Sequence, residues 1–253
     1  ADGVKVHIAT TGFTISHWKM FVVDDNRAFI STMNFITRMN QMRDMGVFIT
    51  NKTVIAEILS VFEADILNST NTTAITPTLT HPNLVWSPIN SEDKLTALIG
   101  SATKTIEIWI ENMGNPAIHK ALKEAVERKV KVRVLTSICG LGMPPEAAFV
   151  SLKELISFGV EVKGAPFPAT TAIPYIHAKT ITVDHKTTFL GSENFSVNSL
   201  QKARELGIIF QNATVEKQMS ALYEKDWGNA VNLPDTPPAT CEALTPIVVD
   251  IKP

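Results

Sequence analysis

Cysteine is almost missing from this chain: Cys139 and Cys241 are the only two among 253 residues. A disulfide-dense scaffold and a zinc site of four thiolates are thereby excluded, while one bridge between the pair stays open. No apolar run is long enough for a membrane-spanning helix. A cationic surplus is missing as well, with 23 Lys and Arg against 25 Asp and Glu and a pI near 6.3. Non-specific capture of nucleic acid by counterion release is therefore disfavoured, although a local basic groove is not. What the chain does have is a composition 45% apolar and 19% charged, which suits one large or two small globular domains.

Self-comparison exposes an internal repeat. His17-Trp18-Lys19, four residues, Asp24 and then Ser31-Thr32-Met33-Asn34 returns 160 residues later as His177-Ala178-Lys179, four residues, Asp184 and then Gly191-Ser192-Glu193-Asn194. The flanks match too: Gly3-Val4-Lys5-Val6 parallels Gly159-Val160-Glu161-Val162, and Arg43-Asp44-Met45-Gly46 parallels Arg204-Glu205-Leu206-Gly207. Phe62-Glu63-Ala64-Asp65 echoes Tyr223-Glu224-Lys225-Asp226. The offset moves from 160 to 161 between the asparagine and the arginine, a one-residue loop difference. A duplicated scaffold by itself would keep apolar positions; two polar triplets and an asparagine held in register point to chemistry.

The spacing predicts an α/β fold. In the second half, Ser91 caps a helix running to about Ser101, and 104–110 alternates as a strand. Pro116 starts a helix ending near Arg128, and 130–136 is strand again. Pro144 and Pro145 open a helix that Gly159 terminates. Strands follow at 160–163, 177–183, 187–191 and 205–210, then a helix over 214–227. The first half holds only the end of this pattern: strands near 4–8, 17–23, 27–31 and 45–50, then a helix near 53–67. Alternating strands and helices indicate a mixed sheet covered on both faces.

The expected organisation is two pseudo-symmetric repeats, each a mixed β-sheet flanked by helices. Residues 1–67 are the C-terminal part of the first, 68–83 a linker, 84–228 the complete second repeat and 229–253 a Pro-rich tail. The opening β-α-β-α section, which takes about 75 residues between Leu84 and Gly159, has no counterpart ahead of Gly3. The expectation is that a missing N-terminal segment or a companion chain completes the first sheet, because a half-built sheet exposes a strand edge and an apolar face.

In a strand, residues two apart share a face, so His17 projects with Lys19 and His177 with Lys179. An imidazole is a nucleophile or proton donor near neutral pH, and a lysine neutralises an anionic oxygen. Asn34 and Asn194 add amide donors, and Thr32 and Ser192 add hydroxyls as phosphate-binding support. Two such sets meeting across the repeat interface surround a tetrahedral anion with cations and dipoles, the arrangement phosphoryl transfer needs. That chemistry calls for no metal and no cofactor. Trp18 and Met20 alternate with the pair and belong to the core. His7, His81, His119 and His185 lack a partner in register and read as ordinary residues. Asn51, Asn68, Asn71, Asn194 and Asn212 each begin an N-x-S/T triplet, weak evidence for glycosylation.

On these paired motifs the chain resembles the phospholipase D superfamily, whose pattern is HxKx4Dx6GSxN; the resemblance covers most of residues 3–66 and 84–228. The second copy is complete, and the first departs only in Ser31-Thr32 for Gly-Ser, which keeps the hydroxyl. The resemblance implies a two-step mechanism with His17 as nucleophile, His177 as general acid and a phosphohistidine between the steps. It also implies a downstream carboxylate on the far ring nitrogen, which matches Glu205 and, by repeat alignment, Asp44. Asp24 and Asp184 are expected to hold the turn after the motif strand.

The superfamily acts on phospholipids and on nucleic acids, so the substrate has to come from elsewhere in the sequence. An acidic pI, only six arginines and the lack of a basic stripe interleaved with aromatics argue against a nuclease channel. Residues 137–145, with Ile138, Leu141 and Met143, suit either the rim of a lipid-accepting mouth or an ordinary connection with partly buried side chains. The stretches Trp86-Ser87-Pro88 and Gly191 to Ser196 are similar to the bacterial cardiolipin-synthase-like and secreted phospholipase D-like branch. The expected function is hydrolysis or transfer of phospholipid headgroups at a membrane surface, with nucleic-acid cleavage as the alternative and nucleic acid a disfavoured partner. A secreted or periplasmic location is compatible with a single bridge and the Pro-rich tail, and a cytoplasmic one is compatible as well.

Overall fold

The structure is a computed structural model that describes residues 3–37, 41–70, 75–139, 145–166 and 169–238. The first part of the chain forms β1 (Met20–Val23), β2 (Arg27–Ser31), β3 (Met42–Arg43), β4 (Gly46–Ile49) and α1 (Lys52–Asn68). The second begins with β5 (Leu84–Ser87), α2 (Ser91–Gly100), β6 (Thr105–Ile110), α3 (Pro116–Glu127), β7 (Lys131–Ser137), α4 (Pro145–Ser157) and β8 (Glu161–Ala165). It continues with β9 (Tyr175–Ile176), β10 (Lys179–Val183), β11 (Thr187–Gly191), α5 (Val197–Gln201), β12 (Glu205–Phe210), α6 (Ala213–Asn229) and β13 (Val231–Asn232).

Local chemistry sets these boundaries. The side chains of Asn51, Asn115 and Asn212 accept the free backbone N–H groups that open α1, α3 and α6, and Pro116 stands where α3 needs no donor. Two of the N-x-S/T asparagines, Asn51 and Asn212, are therefore helix caps. Gly159 ends the α4 region with φ +94°, a conformation that side chains resist. The β1–β2 and β10–β11 hairpins share one register, Met20 opposite Ile30 and Thr180 opposite Leu190. Both turn on two left-handed residues, Asp24-Asp25 and Asp184-His185.

Two sheets carry the site. One is three-stranded, β1-β2-β4, and the other is eight-stranded and mixed, in the order β13-β8-β7-β6-β10-β11-β12-β5; β3 and β9 make a short parallel pair. One face of the large sheet is covered by α2, α3 and α4, through Ile106, Ile108, Ile181 and Phe189 against Leu95, Ile118, Leu122 and Leu155. Its other face meets α6 around Trp109 and Tyr223. That face also meets the small sheet, where Ala28 and Ile30 pack with Leu190, Leu206, Trp86 and the α1 residues Ile55 and Ile58. Trp18 and Met20 join this last core as expected. Among the described residues no helix is long and apolar enough to cross a membrane.

Three expectations need correction. Residues 4–8 form no strand, since no neighbouring strand is present to take their hydrogen bonds, and Val4, Val6 and Ile8 stand exposed. His17, Lys19 and His177 lie just ahead of their hairpins rather than inside a strand, so shared-face alternation is not what groups them. Val231 and Asn232, counted with the tail, belong instead to the sheet as β13. Cys241, Asn71, Pro144 and residues 140–143 of the expected lipid-facing rim lie outside the described residues.

Candidate active site

Each histidine is seated by the other copy of the motif. The backbone N–H groups of His17 and Trp18 donate to the Arg204 carbonyl at 2.9 and 3.2 Å. Those of His177 and Ala178 donate to the Arg43 carbonyl at 3.2 and 2.8 Å. Arg204 and Arg43 immediately precede the two carboxylates, so the side chains are crossed in the same way. Both Glu205 oxygens stand 3.0 Å from His17 Nδ1, and Asp44 Oδ1 stands 2.8 Å from His177 Nδ1. A carboxylate on Nδ1 fixes the ring and leaves Nε2 as the reactive nitrogen.

The two arginines are themselves clamped. Arg43 makes a bidentate pair with Asp226 at 2.7 and 2.8 Å, and Arg204 one with Asp65 at 2.8 and 2.6 Å. Two-pronged charge-assisted bonds hold direction as well as distance. The sequence carried a signal for them, since Asp65 and Asp226 closed the last matching flank, yet sequence reasoning gave them no role.

Around the rings lie the remaining motif groups. Asn34 Nδ2 reaches His177 Nε2 at 3.3 Å, which brings first-copy and second-copy residues onto one reactive nitrogen. Lys19 donates to the His17 carbonyl at 2.6 Å, and Lys179 to the His177 carbonyl. Burial drives the Lys19 ammonium down to about 8; Lys179 adds to the fall, while Glu205, Glu111 and Asp44 oppose it. That Lys19 feels Lys179 and both copies' carboxylates places the two lysines in one electrostatic field.

Glu111, at the end of β6, was missed by the sequence analysis. Its Oε2 accepts from Lys179 Nζ at 2.9 Å and Asn194 Nδ2 at 3.3 Å and lies 3.6 Å from His177 Nε2, and its Oε1 takes the Tyr175 hydroxyl at 3.0 Å. Burial opposes its ionisation, but Lys179 and His177 outweigh that and hold the carboxyl at about 2. The repeat could not reveal it, because its counterpart 160 positions earlier falls before residue 1.

The two hydroxyls sit differently from expectation. Thr32 Oγ1 donates to Asp44 Oδ1 at 2.6 Å, and Ser192 Oγ exchanges bonds with the Leu206 backbone at 3.1 and 3.4 Å; both residues are fully buried. Both hydroxyls are thus spent on the Asp44 carboxylate and on the β12 strand rather than left free to face a ligand. Glu205 receives its hydroxyl from Ser199 at 2.8 Å instead, a residue outside the motif. Glu193 is buried completely, neither oxygen has a hydrogen-bond partner, and its carboxyl is pushed well up by burial and by Glu205. Asp184 accepts four bonds from Thr103, Lys104 and Thr105 and so ties the hairpin turn to the start of β6, while Asp24 makes no such contact among the described residues. His119 bonds Glu154 and Ser151 between α3 and α4, and His185 faces Glu107; neither approaches the paired histidines. Among the described residues no three or more His, Cys, Asp or Glu side chains are grouped to hold a metal ion.

Known proteins share parts of this sequence and fold. The family described as "Cardiolipin synthase, PLD-like domain" matches residues 95–227, more than half of the chain, and the chain belongs to this branch of the phospholipase D superfamily. It is 28% identical over 161 residues to Phospholipase D Z of Dictyostelium discoideum, covering 57% of this chain and 37% of that one. It is 25% identical to the 5'-3' exonuclease PLD3 of Xenopus tropicalis, covering 85% of this chain and 56% of that one. The chain thus spans between about a third and just over half of the length of these curated relatives. Nuc from Salmonella typhimurium, a solved phospholipase D family member, superposes with a TM-score of 0.52 at 21% identity, over 58% of this chain and 93% of that one, a likeness of fold.

Proposed function

We propose that this chain carries the reaction centre of a phospholipase D-type phosphodiesterase that hydrolyses or transfers phospholipid headgroups. The observation that carries the reading is the crossed pair of histidines, His17 on Glu205 and His177 on Asp44. His17 Nε2 attacks phosphorus, an N–P bond forms as the P–O bond to the headgroup breaks, and the departing oxygen takes a proton from His177. His177 then removes a proton from water or an alcohol, whose oxygen displaces His17 and releases the product.

The environments favour these roles. The His17 side chain is 25% exposed, open enough to meet a diester, whereas that of His177 is 4% exposed with Glu111 beside Nε2. A second carboxylate there complements an imidazolium rather than an attacking lone pair. Lys19, Lys179, Asn34 and Asn194 are the donors for the phosphoryl oxygens, with Lys179 and Asn194 released from Glu111 as the anion enters.

Lipid is favoured by the acidic balance of the chain, by the cardiolipin synthase description of its family and by the likeness to a phospholipase D. The likeness to a named exonuclease supports the second reading, cleavage of nucleic acid. Phosphatidylcholine or phosphatidylglycerol vesicles should release free headgroup while plasmid and linear single-stranded DNA stay intact, with turnover persisting in chelator. Degraded DNA of either form, silent vesicles and binding that falls steeply with salt would reverse the choice.

A further inference from the structure

The helices over the large sheet hold polar groups that the paired-histidine site does not use. Helices α3 and α4 line a cavity of about 590 Å³, within the size range of small-molecule sites. His119, Lys120 and Lys123 reach it from α3, and Val150, Ser151 and Glu154 from α4. In each set the first and last residues are four apart, one above the other on a helix face. Met113 and Phe158 add apolar wall to the same cavity.

Three of these side chains form a row. His119 Nε2 stands 3.1 Å from Ser151 Oγ, and His119 Nδ1 stands 2.7 Å from Glu154 Oε2. The imidazole is 6% exposed, while the Glu154 side chain is half in solvent. A carboxylate on Nδ1 takes that N–H and leaves the Nε2 lone pair directed at the hydroxyl. A hydroxyl, a base within hydrogen-bond reach and a third group orienting the base are the geometric signature of an activated nucleophile, on whatever fold they occur. Ser151 Oγ also bonds the Met113 carbonyl, so its hydrogen has two acceptors and passes between them by rotation about one bond. A tie between two helices would need only one of these bonds and no cavity beside the hydroxyl. Lys120 and Lys123 make only exposed pairs, at 3.9 Å with Glu124 and Glu127, and so remain available to a developing negative charge.

We propose that Ser151, His119 and Glu154 form a second hydrolytic centre, independent of the paired histidines, that acts on carboxylic esters with an apolar acyl chain. Ser151 Oγ attacks the carbonyl carbon as its proton passes to His119 Nε2, and Lys120 and Lys123 supply positive charge for the oxyanion. The bond to the alcohol oxygen then breaks, that oxygen takes the proton from Nε2, and an acyl-serine remains. Water gives a proton to His119, attacks the acyl carbon and displaces Ser151, which recovers the proton as the carboxylic acid leaves. Met113, Val150 and Phe158 receive the acyl chain. Glu154 acts through the imidazole and is a positioning residue.

The test uses the 253-residue chain with p-nitrophenyl butyrate as substrate and a fluorophosphonate as covalent label. Peptide mass spectrometry of the unmutated protein should find the label on Ser151, a readout that does not depend on how any variant folds. Ester hydrolysis should fall at least about 100-fold in Ser151→Ala and in His119→Gln. Glu154→Gln should lower kcat and leave KM unchanged, with Glu154→Asp recovering part of the loss. His17→Ala should keep full ester hydrolysis, which separates this centre from the phosphodiesterase site. An unlabelled Ser151, hydrolysis no faster than that of Ser151→Ala, or hydrolysis that disappears with His17→Ala overturns the proposal.

Discussion

Glu193 and Lys19 are the two side chains whose charge the fold opposes most visibly. Glu193 holds its proton above the usual carboxyl value of 4.5, so on raising pH the unfolded chain gives up that proton while the folded chain keeps it. Stability is lost with rising pH over that interval. Glu193→Gln should stand closest to the parent at acidic pH and gain on it as pH rises above the ordinary carboxyl range, as read from urea unfolding at several pH values. Lys19 titrates near 8 against an ordinary 10.5, so the unfolded chain binds more protons between those values and stability rises with pH across the window. Lys19→Met should therefore stabilise at pH 7 by on the order of 2 kcal/mol, a gain that fades by pH 10.5, while removing several kcal/mol of transition-state stabilisation.

The crossed pairing makes a further prediction at this scale. His17→Ala and His177→Ala should each remove nearly all turnover, and His185→Ala should leave it intact. Glu205→Gln takes negative charge from the nucleophile, so the acidic limb of the pH–rate profile should move to lower pH. Asp44→Asn takes it from the acid, so the alkaline limb should move down instead, with a rate loss of about 100-fold or more in each variant. Carboxylates paired with the histidine of their own copy would exchange the two results. The residue types at these positions were readable from the repeat; the partner of each was not, because a local match says nothing about which copy a strand is laid against.

At the scale of elements, hairpins and helices follow from local signals that the sequence displays openly. Pro116, Gly159 and the alternation in β6, β10 and β11 placed most boundaries within a few residues, whereas the asparagine caps of α1, α3 and α6 went unread and Ser91, expected as a cap, is the first residue inside α2, behind Asn90. The elements that went unread are short or depend on distant partners: β3 exists because Tyr175–Ile176 runs beside it, and β13 because β8 offers an edge. Residues 4–8 have strand alternation and no strand, since a ladder needs two sides. Gly191 shows the same dependence. A Cβ there would stand 2.2 Å from Glu193 Oε2 and 2.6 Å from Gly207 Cα. Gly191→Ala should cost about 3 kcal/mol in a thermal or urea melt, because backbone as well as side chain must move. The first copy carries Ser31 with Met33 rather than a carboxylate two positions on, so its serine meets no such oxygen.

For the whole molecule, the two sheets share one apolar core, and the candidate site is assembled where the segments bearing Asp44 and Glu205 pass those bearing the histidines. Core and site are therefore coupled. Arg204→Ala leaves the Asp65 carboxylate without its partner and should destabilise the fold by roughly 3–5 kcal/mol, and turnover should fall with it through a displaced Glu205. A melt and a rate measured on the same preparation decide this: full activity in a destabilised variant would separate the clamp from the site. The sequence by itself determined the class of scaffold and the chemical inventory, because secondary-structure period and a duplicated polar motif are local properties of a chain. Only the tertiary structure decided that each histidine is held by the other copy's carboxylate and that Glu111 already engages the Lys179 and Asn194 donors, because these are relations between segments far apart in the chain, fixed only when the sheets pack.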